Sequence, residues 1–489
     1  MGFQIPVLWV LANLSALVWA SLLPEQMAHD LQSLISPDSD IEVVGSNQTW
    51  PSGFTPRWAI TAPPKYIMVI KPRLVTDVQA IIRYASTNDV PFLATGGGHG
   101  YSSTLGGLEE GISIDMGYFD EITVNTASNT MTTGGAVKTA DIVDALHAVG
   151  REIPVGQCIC IGYSGATLGG GIGPYSGLHG TQSDSLLSVQ MVNGRGDIVT
   201  VSKNQNRDLF YGIKGAGANF GVVTSLTYRV YPATNGGMAM NADMMFPGAL
   251  NGSVWELARS FAGNQPKELS ITFSISYNAT IGDIVLIANF IYAGPQARGR
   301  RLIKPFLDLG PINLSITTVT WSDLPRVAVY GLPYAGCRGG SLYVPQSLNL
   351  YRIDVANIAS VVNYMKRRMA AEPSLQSLFV AWAQYSQYGF AKFSDDSSAF
   401  PHRDAVAFVQ IDGFAMDPSQ VSSVNEFGKE IRDRFQRGSG RRDLSVYVNF
   451  AHGDEPAKAW YSSRKLPKLR ELKRRYDPNS SFSFYNPIL

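Results

Sequence analysis

The apolar run KYIMVI at residues 65–70 is short enough for a buried strand, and in the following VTDVQAIIRYASTND the residues Val78, Ile81, Ile82 and Ala85 recur at helical spacing. Thr76 is expected to cap that helix and Asn88 to lie near its end. VPFLAT, GISIDM, EITVN and TMTTGGA read as short strands, and VKTADIVDALHAVG as a second helix closed by Gly150. LLSVQMVNGRGDIVTVS holds two alternating stretches about an Asn-Gly turn, a hairpin pattern. RDLFYGIKGAGANFGVVTSLTYRVYP predicts a short helix, a glycine-rich turn and a strand ending at Pro232. From about residue 236 glycine thins out, and longer strand-like runs (ELSITFSISYN, DIVLIANFIYAG, AVAFVQIDGFAM) alternate with helical ones, so a domain boundary is expected near ATNGGM. The pattern alone does not assign the last forty or so residues to either part.

With 489 residues, 45% of them hydrophobic and 16% charged, the chain has apolar material for two cores. The net charge is +1 and no basic run interleaves with aromatics, which argues against nucleic acid and for a small-molecule partner. The basic stretch SSRKLPKLRELKRR is expected to be the solvated face of a helix. The opening MGFQIPVLWVLANLSALVWASLLPE is similar to a secretory signal peptide cut after Ala20, and no later run is long enough to span a bilayer. Sequons at Asn47, Asn251, Asn278, Asn313 and Asn479 fit a secreted, N-glycosylated chain. The three cysteines, Cys158, Cys160 and Cys337, leave at least one thiol without a partner, and Cys160 and Cys337 are expected to be buried thiols rather than a disulfide.

Chemistry concentrates in two glycine-rich regions, PFLATGGGHGY at 91–101 and VGQCICIGYSGATLGGGIGPYSGLHG at 155–180. Consecutive glycines permit a close backbone approach and positive φ. Gly169–Gly173 with Gly177 imitates a dinucleotide fingerprint, but Pro174 and Tyr175 lead into SGLHGTQSD without a helical pattern, so that reading is set aside. His99, Cys158 and Cys160 lack a fourth ligand at zinc-site spacing, and no metal is expected. Each region can wrap backbone N–H groups around a pyrophosphate, and each carries one nucleophile, the His99 imidazole or the Cys158 thiolate.

These residues carry a resemblance. Gly97-Gly98-His99-Gly100-Tyr101 and Gly156-Gln157-Cys158-Ile159-Cys160-Ile161-Gly162-Tyr163-Ser164-Gly165, with Gly169-Gly170-Gly171, are similar to the two flavin-attachment motifs of the berberine bridge enzyme-like oxidases, which have a PCMH-type FAD-binding domain. Pro401-His402-Arg403, VYVNF and the ending YDPNSSFSFYNPIL extend the likeness from about residue 60 to the C-terminus. Thr95 stands where the family often has arginine, and Ser164 where it has glycine.

The resemblance implies an α+β fold: a FAD domain over 21–235, a substrate domain with an antiparallel sheet over 236–444, and a return to the FAD domain over 445–489. It implies FAD bonded through its 8α-methyl to His99 and through C6 to Cys158, with Gly97, Gly98, Gly100, Tyr101, Gly162, Tyr163, Gly165, Gly169, Gly170, Gly221, Val222 and Asn449 around it. Tyr447 is the expected base, acting as phenolate or relay if neighbours lower its pKa, while His402 and Arg403 are assigned to domain structure. The activity implied is a secreted, monomeric oxidase that transfers hydride from an alcohol, sugar, amine or specialised-metabolite carbon to the flavin and returns electrons to O2 as hydrogen peroxide. Ile161, β-branched like the valine that accompanies oxidases at that position, favours oxygen use over a dehydrogenase. The reading from another class is a redox-silent binding module on the same fold.

Overall fold

Three sheets organise the computed structural model, which describes residues 23–488 apart from Ser46 and Gln48; the leader expected over residues 1–20 lies outside them. The first sheet has four strands in the order Asp40–Val43, Tyr66–Lys71, Gly111–Asp115, Phe92–Thr95, with the last three parallel. Parallel strands need a crossover, and the helix Val75–Thr87 supplies the one from Tyr66–Lys71 to Phe92–Thr95, on the far side of Gly111–Asp115, burying Val78, Ile81, Ile82 and Ala85 against Met68, Ile70, Ile112 and Ile114. Its cap differs from the expectation: Leu74 is the N-cap residue, and the Asp77 carboxylate, not Thr76, accepts from the Leu74 N–H at 2.8 Å. The second sheet is antiparallel and contains the hairpin Leu186–Asn193 and Ile198–Ser202, paired through Gly221–Arg229 to Thr130–Gly134 and then Ile122–Asn125.

The third sheet has seven antiparallel strands between Met238 and Asp412, in the order Asn313–Thr320, Met238–Pro247, Asp283–Tyr292, Leu269–Asn278, Phe379–Tyr385, Ala407–Asp412, Gln346–Leu350. Side chains alternate across a strand, so the registers sort this sheet into two faces. Val409, Ile411, Val380, Trp382 and Leu348 pack under the helices Asn251–Phe261, Val355–Ala371 and Val421–Arg437. The opposite face carries small and polar side chains, Thr272 and Ser274, Ala381 and Ala383, Gln410 and Asp412, Ser347 and Asn349, with the aromatic rings of Phe379 and Phe408 among them. It meets the glycine-rich loops, with Gln157 Nε2 donating to Thr272 Oγ1 at 3.0 Å and Gln410 Nε2 to the Tyr101 hydroxyl at 2.8 Å.

The C-terminal stretch packs on the N-terminal sheets. Val446, Trp460, Tyr461, Leu469, Leu472 and Tyr476 share a core with the second sheet, and the Asn486 Oδ1 accepts from Ser102 at 2.7 Å. The basic helix Leu466–Tyr476 departs from a purely solvated face. Preceding it, Lys465 Nζ is buried on the carbonyls of Ser398 and Phe400, and Lys473 Nζ donates to those of Asn219 and Phe482. Likewise SGLHGTQSD holds one four-residue helical turn, Ser176–His179, where no helix was expected. Among the described residues no helix is long and apolar enough to cross a membrane.

Candidate active site

The parallel strand Phe92–Thr95 ends at the first glycine loop. A Cβ on Gly97 would stand 2.5 Å from the Gly162 backbone nitrogen, and Gly98 has φ +67°, so glycine is required at both for the first loop to lie backbone-to-backbone on the second. His99 follows, its ring stacked on Trp58 at a centroid distance of 4.5 Å. Its Nε2 is buried with no hydrogen-bond partner, and burial pushes the imidazole down to about 4, so it is neutral and nucleophilic at physiological pH. Arg57, which the motif did not point to, donates to the Gly100 carbonyl while its Nε is buried and unpartnered. A guanidinium thus reaches the loop from another segment, where Thr95 replaces the family's arginine.

On the second loop, a His99 ring nitrogen and the sulfurs of Cys158 and Cys160 all lie within 4.8 Å of one another. Cys158 is free. Cys160 is bonded to Cys337 with a Cα–Cα distance of 5.8 Å, which corrects the expectation of two buried thiols. The separation of 177 residues hid this pairing, and both cysteines are half-buried. The loop then enters the helix Tyr163–Leu168 at Gly162. Tyr163 belongs to the core, its hydroxyl donating to the Pro154 carbonyl and its ring edge-on to Tyr228; Gly165 has open space where a Cβ would be. Val222 packs with Ala136 and Val192, and a Cβ on the adjacent Gly221 would meet Met191 and Val192.

The C-terminal segment brings Tyr447 and Asn449 to the same loops. A Cβ on Gly169 would fall on the Asn449 amide, and one on Gly170 would stand 2.6 Å from Phe400. Asn449 Nδ2 donates to the Ala166 carbonyl at 2.9 Å and to the Tyr447 hydroxyl oxygen at 2.7 Å, and the Gly171 N–H donates to that oxygen at 2.9 Å. Donors aimed at a phenol oxygen favour the phenolate, yet burial outweighs them and raises the Tyr447 pKa above its ordinary value. Tyr447 therefore keeps its proton at neutral pH. The lowered pKa on which a phenolate role depended is not what this packing produces.

A carboxylate that sequence reasoning missed stands nearby. Asp412 is buried, and its carboxylate accepts a short hydrogen bond from the Tyr343 hydroxyl. Gln410 Nε2 donates to the hydroxyls of both Tyr343 and Tyr101, at 2.7 and 2.8 Å, and Tyr101 donates to the Asn449 carbonyl at 2.8 Å. The Tyr343 ring meets Trp58 edge-on at 5.0 Å. Burial lifts the Asp412 carboxyl to about 7. Gln410 and Asp412 sit at alternate positions of one strand, a signal for a shared face, but the phenols they meet come from 69 and 309 residues away.

Comparison with known proteins fits this geometry. The family "FAD binding domain" matches residues 66–202, and "Berberine and berberine like" matches residues 446–488. The FAD-linked oxidoreductase azaL of Aspergillus niger is 38% identical over 468 residues, covering 95% of this chain and 99% of that protein. This chain is an FAD-linked oxidoreductase of the berberine bridge enzyme-like family. The FAD-linked oxidoreductase azaG of the same organism is 36% identical over 95% of this oxidoreductase and 99% of its own length. Among solved structures, Physcomitrella patens BBE-like 1 superimposes with a TM-score of 0.83 at 22% identity, covering 95% of this chain and 99% of that one. The glucooligosaccharide oxidase of Acremonium strictum, a protein with a 6-S-cysteinyl, 8α-N1-histidyl FAD, does so with a TM-score of 0.80 at 20% identity, covering 93% of this chain and 97% of that one.

The oxidoreductase's own residues fit a flavin. The His99 ring, its Nε2 unpartnered, and the free Cys158 thiol converge from two loops in which Gly97, Gly98 and Gly169 leave no room for a Cβ, and the buried Arg57 Nε offers an unused donor.

Proposed function

We propose that this oxidoreductase holds FAD covalently at both His99 and Cys158 and oxidises a carbon bearing a hydroxyl or amine in a specialised metabolite, with O2 as the electron acceptor. The observation that carries the reading is the convergence of a His99 ring nitrogen and the free Cys158 thiol within 4.8 Å, with His99 Nε2 buried and unpartnered. When bound, the flavin supplies the two-electron acceptor that no side chain can provide.

The chain's part is to position substrate and take its proton. Substrate lies against the polar face of the seven-stranded sheet. Two routes serve the proton. Tyr447, whose oxygen receives the Gly171 and Asn449 donors, has its own O–H free to hold the substrate oxygen or nitrogen. Tyr343 can accept the substrate proton while passing its own to Asp412, whose carboxylate is half-ionised near neutrality and makes no ion pair among the described residues. Ile161, on the turn before Gly162, favours oxygen access by its β-branched shape. The reading also includes secretion as a monomer, with glycans on exposed sequons such as Asn313 and Asn479 but not on Asn251, whose side chain is buried on Trp255 and the Ala359 carbonyl.

Absorption spectra before and after acid precipitation, with peptide mapping of the pellet, test the attachment. Yellow peptides containing both His99 and Cys158 support it, followed by peroxide release in a screen of alcohols and amines. Colour left in the supernatant sinks the covalent reading; absence of any colour in folded protein returns the binding module.

A further inference from the structure

The third cysteine places a reactive disulfide beside the attachment residue. Cys158 Sγ lies 3.1 Å from Cys160 Sγ and 3.6 Å from Cys337 Sγ, so the only free thiol among the described residues faces both sulfurs of the only disulfide there. Thiol–disulfide exchange needs a thiolate in contact with a disulfide sulfur and no external oxidant.

What the disulfide holds gives the exchange a consequence. Cys337 ends a surface turn whose Leu332 and Tyr334 are exposed, and this turn caps the His99 side of the site. The Gly336 carbonyl accepts from Trp58 Nε1 at 3.0 Å, the Trp58 carbonyl accepts from the Gly340 N–H at 2.9 Å, and Trp58 stacks on His99. The Cys158 sulfur itself touches the Pro333 carbonyl at 3.7 Å. One cross-link therefore pins the turn, and through it Trp58, over the two attachment residues.

We propose that Cys158, Cys160 and Cys337 form a three-sulfur exchange latch: Cys158 opens the Cys160–Cys337 disulfide before the flavin is attached, and the reverse exchange restores that disulfide together with the Cys158 thiol that attachment requires. In the opening step the Cys158 thiol loses its proton and attacks Cys160. The Cys158–Cys160 bond forms, the Cys160–Cys337 bond breaks, and the Cys337 thiolate leaves and takes up a proton. Attack on Cys337 instead frees Cys160 and keeps the turn tethered. Both steps are redox-neutral, and the reverse step regenerates the Cys158 thiol. Burial raises the Cys158 pKa, so exchange is slow at neutral pH and accelerates as pH rises.

The proposal rests on the covalent reading only in naming flavin C6 as the trap for Cys158. The test uses the flavin-free fraction of the full chain, with His99→Ala as a second source. Aliquots held at pH 6 to 9 are quenched in acid, blocked with N-ethylmaleimide and mapped by mass spectrometry without reduction. The expected result is label on Cys158 joined over minutes to hours by label on Cys337 or Cys160, with the Cys158 label falling in step and the rate rising with pH. In Cys158→Ser the Cys160–Cys337 disulfide persists and no label appears. Label confined to Cys158 at every pH overturns the latch, as does label on Cys337 in Cys158→Ser. The flavin-loaded fraction separates the two claims. Flavin on His99 alone, with the thiol still distributed among three sulfurs, ends the bicovalent reading and leaves the latch standing; flavin on both residues with label confined to Cys158 in the flavin-free protein does the reverse.

Discussion

Asp412 is the residue whose environment makes the sharpest demand on experiment. Its carboxyl, lifted by burial to about 7, holds a proton below neutrality, so activity that depends on its anion declines as pH falls through about 7. Asp412→Asn is expected to lower turnover by about 10²–10⁴-fold and to erase that acidic limb, measured as peroxide release against pH with the flavin content matched. The sign for stability is opposite. A pKa raised above the unfolded value of about 3.9 means the folded state binds the proton more tightly, so this contribution is full at low pH and lost as pH rises through about 7. Urea unfolding at pH 5 and pH 8 should therefore show a smaller loss of stability with pH in Asp412→Asn than in the parent. Tyr447→Phe deletes the acceptor of the Gly171 and Asn449 donors; about 1–3 kcal/mol of stability and about 10²-fold in turnover are expected to go, with flavin retained. A variant that loses flavin as well would show that Tyr447 serves the fold of the loop more than the proton.

At the scale of elements, the two glycine loops are joined through their backbones, and their tolerance to a single methyl measures that joint. Gly169→Ala drives a Cβ into the Asn449 amide, separating the second loop from the C-terminal segment. The expected cost is about 1–3 kcal/mol by chemical denaturation, with reduced flavin content, whereas Gly165→Ala, with open space around it, should be near neutral. The crossover helix Val75–Thr87 offers a second check. Asp77 accepts from the Leu74 and Ser36 N–H groups and the Ser39 hydroxyl, so Asp77→Ala should cost more than the roughly 1 kcal/mol of an ordinary cap. The helix was legible from its apolar spacing. Its cap was misread because any of several polar residues near a helix start can accept, and only the chain's path past Ser36 and Ser39 selects Asp77.

Across the whole molecule, a buried ion pair ties the segment leading into the strand Ala407–Asp412 to the turn Gln182–Asp184 that follows the second glycine loop. Arg403 bonds Asp184 at 2.8 and 3.0 Å, with side-chain exposures of 7% and 0%. Arg403→Met leaves the Asp184 charge unpaired and is expected to destabilise the protein by about 3–5 kcal/mol, with both parts unfolding at lower denaturant. Calorimetry that shows only a surface-like change of under about 1 kcal/mol would mean water reaches Asp184 in place of the guanidinium.

Local order was written plainly in the chain. Period-two and period-3.6 spacing marks most strands and the long helices, because each element must bury one face whatever it packs on. The paired His99 and Cys158 motifs were readable for a related reason: backbone-to-backbone contact admits only glycine, so close approach leaves a mark in one dimension. Side-chain contacts between distant segments leave none. The Cys160–Cys337 bond, the arrival of Arg57 at Gly100, the Tyr343–Asp412 pair, and the burial of Lys465 on the Ser398 carbonyl and of Lys473 on the Asn219 carbonyl each join residues far apart in sequence. Burial, which decides the proton on Tyr447 and on Asp412, is a property of everything packed around a group. The sequence by itself determined which residues could do chemistry and which elements would carry them; the tertiary structure decided their partners and their charge, because desolvation and hydrogen bonding are set by neighbours in space.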